Sequence, residues 1–154
     1  MATTTRGIRN NNPLNVRRGS SWKGLSKFQN DKEFCQFESM VYGIRSALVV
    51  LRTYAYKYKI NNLLSVINRY APAKDKNNPS SYCYLVRTYL LANLPLDSPY
   101  RTLLKQDKDT LLVNKWLSMN RPSEITRFLV KAMAIVESNY NISDEELEEA
   151  ISLL

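Results

Sequence analysis

The sequence predicts a mainly α chain (α+β) with one small β-hairpin near the N-terminus. Three observations predict it. Apolar residues recur at helical spacing through most of residues 39–154. Helix-start signals precede these stretches at Ser39, Asn78-Pro79, Ser98-Pro99 and Ser143 with Glu146. One segment before Ser39 alternates with a period of two instead.

The elements follow in order. Residues 1–8 are expected to form a flexible N-terminal arm, and residues 9–154 a single domain, since 154 residues support one real core. Arg9-Asn10-Asn11-Asn12-Pro13-Leu14-Asn15-Val16 is a run of turn formers and predicts a structured loop. Phe34, Gln36 and Glu38 alternate with Cys35 and Phe37, which predicts the hairpin. Ser39 caps a helix through about Tyr58, with Val41, Ile44, Leu48, Leu51 and Ala55 on one face. A short helix spans Leu63–Tyr70 and stops before Pro72. Pro79 starts the next, and Ser98-Pro99 another. Leu111–Met119 is expected to be helical around Trp116, with Asp107 and Asp109 as cap and first-turn residues. Pro122 opens the most apolar helix, Glu124 to about Ser138. Ser143 and Glu146 form a capping box for the last helix.

Composition narrows the chemistry. The net charge is +8, and residues 1–60 hold all of it, with eleven Lys/Arg against three Asp/Glu. A basic surface attracts polyanions and raises their encounter rate. There is no histidine, so Ser-His and Cys-His nucleophile pairs and His-ligated zinc are excluded. Cys35 and Cys83 lack metal-ligand spacing; they are expected to be two buried thiols, with a disulfide between them as the alternative. No cofactor or metal is called for. No apolar run approaches the roughly 20 residues of a membrane helix. Met1-Ala2-Thr3-Thr4-Thr5-Arg6 has no apolar core and does not resemble a signal peptide.

One carboxylate breaks a local rule. Glu137 ends an apolar helix, directly after Ala132-Met133-Ala134-Ile135-Val136. The negative end of the helix dipole favours cations there, not anions. A residue that violates a local preference is a candidate functional site. The other reading is a glutamate fraying into solvent.

Arg6-Gly7-Ile8-Arg9-Asn10-Asn11-Asn12-Pro13-Leu14-Asn15-Val16-Arg17, followed by Trp22-Lys23-Gly24, resembles the opening of a phage and prophage muralytic family. That family is named for the lytic virion protein of the enveloped double-stranded RNA phages, the cystoviruses. The pattern continues at Phe34-Cys35-Gln36-Phe37, Tyr42-Gly43-Ile44-Arg45, Arg69-Tyr70-Ala71-Pro72, Asn77 and Tyr82. It closes at Ala132–Glu137 and Ile142-Ser143-Asp144. The chain departs from it at Asn78-Pro79 (usually Asp-Thr), at Tyr70 (usually Trp) and at Ser138, where Asn-Gly is common after the glutamate. Ile135-Val136-Glu137-Ser138-Asn139-Tyr140-Asn141 looks like the Glu-Ser segment of lytic transglycosylases, and Asn11-Asn12 like the Asn-Asn segment of flagellar-type glucosaminidases. In those enzymes the Asn-Asn segment follows the catalytic helix, whereas here it precedes it. The resemblance therefore implies a circularly permuted, lysozyme-like helical domain that degrades peptidoglycan.

The roles it implies are these. Glu137 is the single acid/base of a lytic transglycosylase. Asn11, Asn12, Asn15, Gln36, Phe37, Tyr82 and Ser138 bind substrate, and Trp22 is a further candidate for stacking on a sugar. The bland alternatives are turn-building for the asparagines and packing for the aromatics. A hydrolase would need a second carboxylate about 5–9.5 Å from the first. Glu38 is the first candidate for it, with Asp31 and Glu33 beside it. The partner implied is bacterial peptidoglycan, met from the virion or from the host cytoplasm. An endopeptidase is a second reading, although no activated Ser or Cys nucleophile is evident. A basic phage structural or nucleic-acid-binding protein is a third. It is disfavoured because no helix-turn-helix or glycine-rich RNA motif is present.

Overall fold

The computed structural model describes Thr4–Gln106 and Asp109–Leu154. The expected cap at Asp107 lies outside these residues. Among these residues seven α-helices run in chain order: α1 (Arg6–Arg9), α2 (Met40–Tyr56), α3 (Leu63–Tyr70), α4 (Pro79–Asn93), α5 (Pro99–Gln106), α6 (Glu124–Ser138) and α7 (Asp144–Ser152). One antiparallel pair joins β1 (Trp116–Ser118) to β2 (Arg121–Pro122). The chain is mainly α with a single small sheet, as its periodicity predicts.

Most helix starts obey their local chemistry. Asn62 and Asn78 cap α3 and α4 by accepting from Ser65 N and Ser81 N. The Ser143–Glu146 capping box is complete. Helix α6 spans Glu124–Ser138, the predicted range, and Pro122 just before it is paired in β2.

Three expectations need correction. The expected N-terminal hairpin does not form a ladder. Its segment makes two isolated antiparallel bridges, Arg17 with Phe34 and Leu25 with Phe37. Side chains take the donors that a ladder would use. Asp31 Oδ1 accepts from Glu33 N and Phe34 N, and Gln36 Oε1 from Asn30 N and Asp31 N. Short polar side chains compete with regular structure in this way. The sheet lies instead in the segment expected to be helical. Leu111 and Val113 are buried and Leu112 is exposed; buried Asn114 breaks the alternation, which resumes from Lys115 into β1. The expected arm also loses its end, since residues 6–8 belong to α1, which Thr5 caps.

The chain divides into two compact units. The first comprises the residues up to Val50 together with Met133–Leu154. Its buried apolar residues include Leu14, Val16, Phe37, Ile44, Leu48, Met133, Ile142 and Leu147. Gly43 meets the 10–16 loop so closely that a Cβ would lie 1.9 Å from the Asn11 carbonyl oxygen. Ala is intrinsically better than Gly in a helix by about 1 kcal/mol, but here the clash is with backbone. Gly43→Ala is expected to destabilise the chain by about 2–3 kcal/mol, measured as a lowered urea midpoint. An unchanged or raised midpoint would show that the loop yields.

The second unit is Leu51–Ala132. Here α3 packs on α4 and α4 on α5, around Leu63, Val66, Ile67, Val86, Leu90 and Leu104. Buried Asn114 ties its irregular parts together. Its Nδ2 donates to Leu51 O at 2.7 Å and Ile60 O at 3.2 Å, and its Oδ1 accepts from Trp116 Nε1 at 3.0 Å. Cys35 and Cys83 are free, buried thiols. Burial pushes both up, Cys83 to about 11, so neither is an activated nucleophile.

Candidate active site

Glu137 lies in the last turn of α6, half-buried. Asn139 ends the helix in a left-handed conformation, φ 52°, which Asn tolerates better than most residues. Asn139 N still donates to Ile135 O and Tyr140 N to Ala134 O. Tyr140 then anchors the exit: its hydroxyl lies 2.7–2.8 Å from both carboxyl oxygens of Glu146. Burial and that carboxylate push the Tyr140 phenol up to about 12, so it stays a proton donor to Glu146.

The 10–16 loop supplies a contact to Glu137. Asn15, also left-handed at φ 52°, donates through Nδ2 to Glu137 Oε1 at 3.1 Å and to its carbonyl oxygen at 3.3 Å. One amide therefore fixes both the side chain and the backbone of the glutamate. The Asn15 Oδ1 is buried and finds no hydrogen-bond partner among the described residues. From the other side, Thr5 Oγ1 donates to Ser138 O at 2.7 Å. Gly7 sits so near Ser138 that a Cβ would lie 1.8 Å from Oγ.

The candidate binding residues divide. Asn15 and Glu137 are brought together. Asn12 is fully buried and committed: Nδ2 donates to Val16 O and Cys35 O, and Oδ1 accepts from Val16 N. It builds the loop and offers nothing to a sugar. Asn11, left-handed at φ 51°, donates to Phe37 O. Gln36 joins Asn10, Asn30 and Asp31 through its side chain. Phe37 is 3% exposed and belongs to the core, so it stacks on no ligand. Ser138 is likewise buried. Trp22 is half-buried, and its Nε1 finds no acceptor among the described residues. Tyr82 is buried in α4, within the second unit.

The second-carboxylate candidates fare differently from one another. Glu38 is exposed and holds the loop through its backbone N–H to Gly24 O. Asp31 is spent on structure. It accepts from Arg6 Nε at 2.7 Å, Arg6 Nη2 at 2.6 Å and Asn10 Nδ2 at 2.9 Å, besides the two backbone donors. The Arg6 guanidinium and these N–H groups hold its carboxyl far below the usual carboxylate range, which disqualifies it as an acid. Glu33 is exposed, within 4.0 Å of Arg6 and 3.8 Å of Arg17. The Arg6–Asp31–Asn10 hub has no spacing signal in the sequence, because its members are brought together only by the folded loop. Among the described residues no three His, Cys, Asp or Glu side chains gather as metal ligands.

Fold and site thus define a mainly α chain whose one glutamate at the end of an apolar helix is fixed by an amide from an asparagine-rich loop. Over 85 residues, 53% of its length, the chain is 40% identical to "Protein P5" of Pseudoalteromonas phage PM2. The match covers 52% of that relative, so the chain spans about half the length of the curated relative it matches. This establishes likeness to a phage protein. No family model matches the chain.

Proposed function

We propose that the protein is a phage-type lysin that cuts the glycan strands of bacterial peptidoglycan, with Glu137 as its single acid/base. The observation that carries this reading is the Asn15–Glu137 pair. A half-buried carboxyl at the end of an apolar helix is held by an amide donor on Oε1. General acids must be placed before their proton affinity matters. The muralytic pattern of the sequence and the phage relative support the setting, a virion or an infected host cell. Among the described residues no helix is long and apolar enough to cross a membrane.

A transglycosylase needs no second carboxylate. After protonating the leaving oxygen, Glu137 takes the proton of the sugar's own hydroxyl as that oxygen closes on the anomeric carbon, giving an anhydro end. The commitment of Asp31 to the Arg6 hub and the exposure of Glu38 favour this single-acid route over hydrolysis. In the lysozyme-like reading, α6 stands near the C-terminus rather than the N-terminus, so a circular permutation accompanies it.

Digestion of purified sacculi by the wild-type chain, followed by mass spectrometry, tests the proposal. Anhydro-muropeptides are expected. New reducing ends would replace the transglycosylase by a hydrolase. Freed amines without glycan cuts would point to an endopeptidase and remove the proposed role of Glu137. A chain that clears no wall but binds nucleic acid with a steep salt dependence would overturn the enzyme altogether.

A further inference from the structure

The basic first third is partly answered within itself. Arg6 pairs with Asp31, Arg17 with Glu33, and Arg18 donates to Asp31 O. The stretch that follows is different. Residues 51–76 hold Arg52, Lys57, Lys59, Arg69, Lys74 and Lys76 against Asp75 as their one acid. The ion pairs Arg6–Asp31, Arg6–Glu33, Arg17–Glu33 and Arg87–Asp109 include none of these six cations.

Aromatic rings order the centre of this stretch. The Arg69 guanidinium lies 3.9 Å from the Tyr58 ring centroid and 5.4 Å from that of Tyr54. Lys57 Nζ lies 5.3 Å from the Tyr58 centroid. Tyr54 is buried and meets Tyr70 edge-on at 6.5 Å, whereas Tyr58 is 42% exposed. The stack therefore runs from the core of the second unit to its surface. A guanidinium held against a ring is pre-organised, and its planar fork matches a carboxylate bidentately.

We propose that this surface docks peptidoglycan through its stem-peptide carboxylates. Arg69 on Tyr58 is the fork, Lys57 stands beside it, and Lys59, Lys74 and Lys76 on the adjoining segments add point charges. The inference rests on peptidoglycan being the substrate. Charge complementarity selects a polyanion. Arg69 lies over Tyr58, so that ring is less open to the base stacking by which single-stranded nucleic acid binds. A second attachment to an insoluble substrate raises its effective concentration while the acid works.

The test is co-sedimentation of the full chain carrying Glu137→Gln with purified sacculi, with released soluble sugar followed in parallel. Adding Arg69→Lys, which keeps the charge and loses the fork, is expected to weaken binding about three- to tenfold. The pair Lys74→Gln and Lys76→Gln, at exposed positions, is expected to weaken it too and to flatten its dependence on salt; it carries the test if Arg69→Lys unfolds by circular dichroism. Amidating the sacculus carboxylates is expected to erase the difference between the parent chain and its variants. Equal binding by all variants overturns the proposal, as does a loss that persists on amidated sacculi. A loss seen with a single-stranded oligonucleotide but not with sacculi assigns the surface to nucleic acid and overturns it as well. Sugar release by the Glu137→Gln chain counts against the acid alone and leaves the docking result standing.

Discussion

Glu137→Gln is expected to lower the rate of wall cleavage about 10²–10⁴-fold, the usual worth of a positioned general acid, while leaving the thermal midpoint within about 1 °C. The separation of the two effects follows from the geometry. Gln matches Glu in shape, and its Oε1 can still accept the Asn15 Nδ2 bond that Glu137 accepts at 3.1 Å. The backbone bond from Asn15 to the carbonyl of residue 137 is untouched. What the amide cannot do is release a proton. Zymography of wild type against variant at equal loading, with midpoints from circular dichroism, reads both quantities. Equal clearing by the two proteins would remove Glu137 from the mechanism. A large drop in midpoint would make it a structural carboxylate rather than a catalytic one.

The helices were legible in the sequence because their signals are local. The asparagine caps of α3 and α4, and the Ser143–Glu146 box of α7, depend on residues three positions apart, and a helix forms wherever cap and periodicity agree. The failures are equally physical. Leu111–Met119 carries apolar residues that fit either period, and the pairing of Trp116 with Pro122, which no local rule announces, decides for the strand. The Phe34–Glu38 segment alternates like a strand, but Asp31 and Gln36 satisfy neighbouring donors from their side chains and the ladder is never needed.

The site was legible in part for the same reason. Glu137 stands out because a carboxylate at a helix C-terminus is locally misplaced. Asn12, Gln36 and Phe37 drew attention as ligand binders because polar and aromatic residues in a loop suit both jobs. Burial decides between them: Asn12 at 0% and Phe37 at 3% exposure face no solvent. Asn15 was visible as a polar loop residue, but its contact with Glu137 spans 122 positions. The contact turns it from a candidate ligand for sugar into the residue that holds the Glu137 carboxyl.

Asp31→Asn is expected to destabilise the chain by about 3 kcal/mol, a fall in thermal midpoint of about 6–12 °C. Asp31 gathers five donors on two oxygens. An amide at this position turns an N–H₂ toward donors and removes the charge that answers Arg6. The Asp31 side chain is 9% exposed and Arg6 42%, so Arg6 can rehydrate, which places the loss at the low end for breaking a buried pair. The effect should depend on pH with a definite sign. The Asp31 carboxyl is held well below its ordinary value in the folded chain, so the unfolded chain takes up the proton more readily. The contribution is complete above the unfolded value of about 3.9 and is lost progressively as pH falls toward the folded one. The gap between wild type and Asp31→Asn should therefore be constant from about pH 7 to 5 and shrink below about pH 4. Urea midpoints across that range measure it, and a gap unchanged at about pH 2–3 would mean that Asp31 acts by shape rather than charge. The cost should also reach the acid. Asp31 holds Asn10 Nδ2, Asn10 O receives Phe37 N, and the same loop presents Asn15 to Glu137. Loosening the hub frees the amide that fixes the carboxyl, so Asp31→Asn should lose activity at temperatures where the chain is still folded, because a misplacement of about 1 Å is enough to slow an oriented reaction.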